Sequence, residues 1–244
     1  MAKAAPWTIL LTCEHGGNTV PQEYRALFRG AAATLRTHRG LDIGALAAAR
    51  HFQRTLDAPL IAGTVTRLLV DLNRSPGHKT RFSEVTRDLP AAERRRIIQR
   101  WWSPYWQLVA GAVQAELSRG RRVLHLSVHS FTPKLHGVTR NAEIGFLYDP
   151  ARRIDAAFCR DWRDVLVRDK PHWRVRMNYP YRGTSDGLTT QFRKRYPAAR
   201  YLAMELELNQ AVLVDRRRRA QLLADLIETM PAPRFGGRMA PTSA

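Results

Sequence analysis

Apolar runs of strand length alternate with amphipathic stretches of helix length along the chain, and this alternation predicts its elements. The first run, Trp7 to Cys13 (WTILLTC), is short and apolar and stops at Glu14-His15-Gly16-Gly17. It predicts a buried strand followed by a sharp turn that the glycines permit. Pro21 predicts the start of a short helix running to Phe28, since proline suits a first helical position. Apolar residues at helical spacing from Ile43 to Leu56 predict a helix, with an N-cap as the plainest role for Asp42. Residues 58–62 and 66–72 predict extended segments. The second, within RLLVDLNRS, is almost wholly apolar up to Asp71 and reads as a strand buried on both faces. A polar, aperiodic loop is expected over 77–88. Beyond it lies a long helical region, 90–118, interrupted near Pro104 and anchored by Trp101, Trp102 and Trp106.

In the second half, RVLHLSVHSFTP at 122–133 predicts a strand that ends at His129-Ser130. A loop over 134–141, a strand over 142–148 and a helix over 151–167 follow, then a strand over 173–177 and a turn-rich loop over 178–183. A short helix over 187–195, a strand over 200–208 and an amphipathic helix over 215–230 complete the pattern. Residues 1–230 are expected to form a single domain, and the Pro-, Gly- and Ser-containing stretch 231–244 a flexible tail. Strands interleaved with helices predict an α/β fold with a mixed, mostly parallel central sheet and helices on both faces. Such a sheet carries its site at the C-terminal ends of its strands.

Composition changes this picture in one respect. The net charge of +19 is an excess of arginine, since lysine occurs only at positions 3, 79, 134, 170 and 194. The densest clusters, Arg94 to Arg96 and Arg216 to Arg219, fall inside helical patterns and read as solvated faces. They lack the single basic element interleaved with aromatics that a nucleic-acid binder concentrates, so an anionic small substrate is the preferred use of some of this charge. A nucleic-acid or anionic-polymer binding protein with a vestigial site stands as the alternative. Two cysteines, Cys13 and Cys159, are too few for a disulfide framework and read as reduced thiols of a cytoplasmic protein. No apolar run approaches the roughly 20 residues that span a bilayer, and the N-terminal apolar stretch reads as a strand, not a signal peptide.

Candidate chemistry gathers at the predicted strand ends. A borderline cation such as Zn²⁺ takes nitrogen and oxygen ligands, and its catalytic sites keep three protein ligands with one position open. His15, His129 and one carboxylate supply that set, the carboxylate being Asp42 or Glu14; neighbours on an extended strand point to opposite faces, which disfavours Glu14 unless the chain has already turned. Glu207 on the last strand is the candidate general base, with Glu205 on the same face. Carboxylates within a strand need a cation or donors nearby. Arg74 beside Asn73 is placed to hold a substrate carboxylate, and Arg140, Arg182 and Arg67 are further candidates. His125, on the strand face of His129, is a candidate to orient it.

These stretches resemble the N-formylglutamate amidohydrolases: EHGGNTVP at 14–21, LDIG at 41–44, RLLVDLNRS at 67–75, SVHSFTP at 127–133, NYPYRG at 178–183 and LELNQ at 206–210. The resemblance implies a hydrolase domain of zinc carboxypeptidase-like fold, one Zn²⁺ ion, and hydrolysis of an amide in a small acidic substrate such as N-formylglutamate. It implies that His129 is the last metal-binding histidine and that Asn73-Arg74 grips a substrate carboxylate. Glu207 then takes the role of general base. Carboxypeptidases use a His-x-x-Glu spacing for their first two ligands, whereas Asn18 stands three residues after His15 here, so Asp42 is the implied oxygen ligand.

Overall fold

A computed structural model describes residues 5–232. Its strands are β1 (Trp7–Cys13), β2 (Leu60–Ala62), β3 (Arg122–Phe131), the small hairpin β4 (Lys134–Leu135) and β5 (Val138–Thr139), β6 (Ile144–Leu147), β7 (Val175–Met177) and β8 (Tyr201–Asn209). Six of them form one sheet in the order β2-β1-β3-β8-β6-β7. Neighbours from β2 to β8 run parallel, while β6 meets β8 antiparallel and β7 follows β6. This is the mixed, mostly parallel α/β sheet that the sequence pattern predicts.

The strands are apolar on both faces because both faces are covered. Even-numbered residues of β3 and β8, such as Leu124, Leu126, Leu206 and Leu208, pack with α2 (Ala45–Leu56), α5 (Arg153–Asp169) and α8 (Arg216–Thr229). Odd-numbered ones, Val123, Tyr201 and Ala203, pack with α4 (Ser103–Ser118) and α6 (Leu188–Arg195). Further along, this second face turns polar at Ser127, His129, Glu205 and Glu207. The short α1 (Ala32–Leu35), α3 (Ala91–Ile97) and α7 (Gln210–Leu213) complete the set, with a 3-10 helix at Gln22–Phe28 opened by Pro21. The expected break before Pro104 is a π-helical turn, Ile98–Trp102, between α3 and α4.

Two expectations are corrected. Residues 66–72 are not a strand: apart from a bridge from Thr19 to Val65 just before them, the segment is a run of turns. Its leucines are buried as expected, but its backbone is satisfied by side chains and turns. The Ser83 and Thr86 hydroxyls donate to the Leu68 carbonyl, and the Trp106 and Trp102 indoles donate to the Leu72 and Arg74 carbonyls. An apolar run reports burial, and here burial did not require extension. Asp42 is not an N-cap either. Gly44 holds that position with φ +83°, and a Cβ there would meet Leu213, so only glycine fits without strain. The tail expected over 231–244 lies, from residue 233, outside the described residues.

Candidate active site

Parallel register and strand parity assemble the site. Glu207 stands opposite His129 and Glu205 opposite Ser127 across β3 and β8, so all four side chains emerge on one face. On β1, Thr12 pairs with Ser127. Glu14 continues the same face, and its carboxylate accepts from the Ser127 hydroxyl at 2.6 Å and from the Tyr105 hydroxyl of α4 at 3.2 Å. The chain turns at His15, whose carbonyl accepts from the Asp42 backbone N–H at 2.9 Å. That bond draws the start of the α2 region over the strand ends and brings the Asp42 carboxylate inward.

Asp42 Oδ2 lies 2.8 Å from His129 Nδ1 and 3.4 Å from His15 Nδ1. One donor atom from each of His15, Asp42 and His129 falls within 4.8 Å of the others, and all three residues are buried. The far nitrogen of each ring meets another carboxylate: His129 Nε2 is 2.9 Å from Glu14 Oε2, and His15 Nε2 is 2.7 Å from Asp71 Oδ1. Arg67 spans Asp42 Oδ1 at 3.3 Å and Asp71 Oδ2 at 3.0 Å. Each imidazole thus turns its Nδ1 toward a common point and its Nε2 toward an acid, the arrangement in which metal-bound histidines are held.

The acids and histidines of this cluster act strongly on one another, and the cluster could hold a cation. Burial alone would push all these groups toward neutrality. It raises Glu14, yet its hydrogen bonds to His129 and Ser127 win and bring its pKa down to about 2. Asp42, against both histidines, and Asp71, against Arg67 and His15, are likewise held below the carboxylate range despite burial. The same carboxylates raise His15 and His129 against burial. Ionised Asp42 and a buried His15 Nδ1 with no hydrogen-bond partner, with His129 beside them, are a donor set that could hold an N/O-binding divalent ion. Glu207 differs. Burial is the main cause that raises its pKa to about 8, Asp42 and Glu205 add to it while the histidines oppose, and its buried Oε2 has no hydrogen-bond partner.

A cavity of about 220 Å³ opens above these groups, and its lining includes Asn73, Arg74, Arg182, Tyr181, Glu205 and Glu207 besides the three clustered residues. Asn73 is largely committed to structure: its Oδ1 accepts from the Leu188 N–H at 2.7 Å, and its Nδ2 sits 3.5 Å from His129 Nε2. Arg74 uses one arm on the Asp186 carbonyl at 2.7 Å, and its buried Nε has no hydrogen-bond partner. Arg182 is exposed at the rim. Arg140 is not among the lining residues; it stands on the Tyr181 ring and donates to the Tyr181 hydroxyl at 3.2 Å. Arg67 lines the cavity with its guanidinium spent on Asp42 and Asp71. His125 does not touch His129 but joins Thr12 Oγ1 at 2.8 Å and the Tyr201 hydroxyl at 2.6 Å.

The sequence leaves Glu14 as an alternative ligand and gives Asp71 no specific partner; the structure sets each carboxylate on the outer nitrogen of a histidine. Strand parity signals the position of Glu14, two residues beyond Thr12. Nothing local to Asp71 signals its pairing with a residue 56 positions away.

A family model described as N-formylglutamate amidohydrolase matches residues 7–214. The fold is similar to the crystal structure of gene product Atu2144 from Agrobacterium tumefaciens, with TM-score 0.80 and 30% identity over 93% of this chain and 90% of that one. It is also similar in fold to N-formylglutamate amidohydrolase from Ralstonia eutropha JMP134, with TM-score 0.62 and 21% identity over 93% and 94% of the respective chains. A search of curated proteins found no match.

Proposed function

The chain belongs to the N-formylglutamate amidohydrolase family, and from that premise we propose that it is a zinc-dependent amidohydrolase acting on a small acidic N-acyl amino acid such as N-formylglutamate. The observation that carries this reading is the buried convergence of His15, Asp42 and His129 beside Glu207. His15 and His129, through Nδ1, and Asp42 would hold the ion. When bound, Zn²⁺ supplies Lewis acidity toward a carbonyl oxygen and lowers the pKa of water to about 7. Glu14 and Asp71 fix the two rings by accepting from Nε2–H, which leaves Nδ1 free to ligate.

Glu207 is the general base in this reading. Its Oε2 is buried and has no hydrogen-bond partner; the charge of a bound cation would offset the burial that raises its pKa, so that the ionised carboxylate could take a proton from the attacking water and return it to the leaving nitrogen. Arg74 and Arg182 orient the substrate through its carboxylates, Arg74 from the cavity lining and Arg182 from the rim. For N-formylglutamate, one water is consumed and formate and glutamate are released. A panel of N-acyl amino acids, assayed for free amine with the zinc-loaded protein, tests the assignment. Acidic N-formyl substrates are expected to be cleaved well ahead of neutral ones. Equal rates on neutral and acidic substrates would remove the role given to the arginines.

A further inference from the structure

Beside the catalytic cavity lies an open depression of about 360 Å³ whose charged lining residues are all basic. His78, Lys79, Arg81 and Arg87 come from the loop after the Asp71–Arg74 turn, and Arg94 and Arg95 come from α3. Arg87 pairs with its neighbour Asp88 at 3.4 Å, and His78 lies 3.9 Å from Asp186. Among the described residues, Lys79, Arg81, Arg94 and Arg95 have no carboxylate within ion-pair distance. Arg94 spends one arm on the Arg87 carbonyl, which ties α3 to the loop.

Arg81 is the most telling member. Its guanidinium lies 5.3 Å from the Trp102 ring centre and 5.7 Å from that of Phe82, and its buried Nε has no hydrogen-bond partner. Stacking on aromatic faces holds an arginine in place without consuming its in-plane donors. A solvated surface arginine needs no such cradle. Four cations without acid partners around one concavity repel one another, and that repulsion is relieved by a multiply charged anion.

We propose that this depression is a binding site for a small anion carrying two linked phosphate groups, with Arg81 as its fixed donor and Arg94, Arg95 and Lys79 closing on it. Guanidinium forks match phosphate oxygens in pairs, and a linked diphosphate balances four positive charges more nearly than a dicarboxylate does. The site is separate from the catalytic cavity, with which it shares no lining residue. It stands at the other end of the Asp71–Arg81 segment, which the Asp71 N–H closes by donating to the Arg81 carbonyl at 2.8 Å.

Titration calorimetry of the zinc-loaded protein with inorganic pyrophosphate at fixed ionic strength tests this. Wild type is expected to bind saturably, and Arg81→Gln and the double variant Arg94→Gln/Arg95→Gln to bind roughly tenfold more weakly or worse. The double variant changes α3 side chains outside the core and keeps the test valid if Arg81→Gln fails to fold. No saturable binding to wild type would overturn the proposal. So would equal binding by the double variant, which would put the anion in the catalytic cavity or on the metal. Binding of a single-stranded oligonucleotide through these arginines, with none of pyrophosphate, would overturn it in favour of a nucleic-acid surface.

Discussion

At the residue scale, the division of labour among carboxylates is the main finding. Four acids surround the two histidines, and their contacts separate them. Asp42 faces both Nδ1 atoms, Glu14 and Asp71 each take one Nε2, and Glu207 keeps a buried oxygen with no hydrogen-bond partner. Glu14→Gln and Asp71→Asn are therefore expected to lower zinc affinity by roughly 10- to 100-fold without removing a ligand, read by competition with a chromophoric chelator. Asp42→Ala is expected to cost more affinity than either. If Glu14→Gln lost metal more completely than Asp42→Ala, the two acids would have to exchange roles.

Elements decide how these residues meet. β3 and β8 lie side by side in register, so His129 and Glu207 are neighbours by construction, and β6 brings Gly145 up against Glu207 from the other side. A Cβ on Gly145 would collide with the Tyr179 carbonyl and sit 3.2 Å from the Glu207 Cβ. Gly145→Ala is expected to cost about 1 to 3 kcal/mol, as overpacking does, and to lower kcat through displacement of Glu207. Thermal unfolding beside kcat and KM checks it; unchanged kcat would mean that the strand moves instead. This scale is also where the sequence was most and least legible. Strands that carry His129 and Glu207 near their C-terminal ends, or lead into His15, announce themselves by an apolar run that breaks into polar residues. RLLVDLNRS has the same signature and is a coil of turns, because the hydroxyls and indoles that satisfy its carbonyls come from Ser83, Thr86, Trp102 and Trp106, which no local pattern announces. Only its charge marks Arg140 as a substrate-binding candidate, and charge does not say which way a loop faces.

For the whole molecule, stability should follow both metal and pH. Acids and histidines packed around an ion pair with it only in the folded state, so chelation is expected to lower the Tm and added zinc to restore it, with a gain in unfolding free energy of about 4 kcal/mol at a thousandfold excess over Kd. An unchanged Tm would argue against a bound metal. Buried His125 adds a separate acid sensitivity. Burial lowers its pKa from 6.5 to about 4. As pH falls through 6.5 the unfolded chain takes up this proton while the folded one does not, so the His125 contribution to stability is full above 6.5, falls between 6.5 and 4, and levels off below. The total loss is about 3 kcal/mol, and urea titrations of wild type and His125→Gln over that window should show the slope flattened in the variant. Among the described residues no helix is long and apolar enough to cross a membrane, and both cysteines are free and buried.

On the proposed reading, a metal held by His15, Asp42 and His129 works with Glu207 to hydrolyse an amide. The most direct test of that reading is formate release from N-formylglutamate, measured on zinc-loaded wild type and Glu207→Gln in samples of determined metal content. Both proteins are predicted to carry one zinc, with turnover in the variant reduced by about 10² to 10⁴-fold. Wild-type turnover in the variant, or full activity in metal-free wild type, would contradict it.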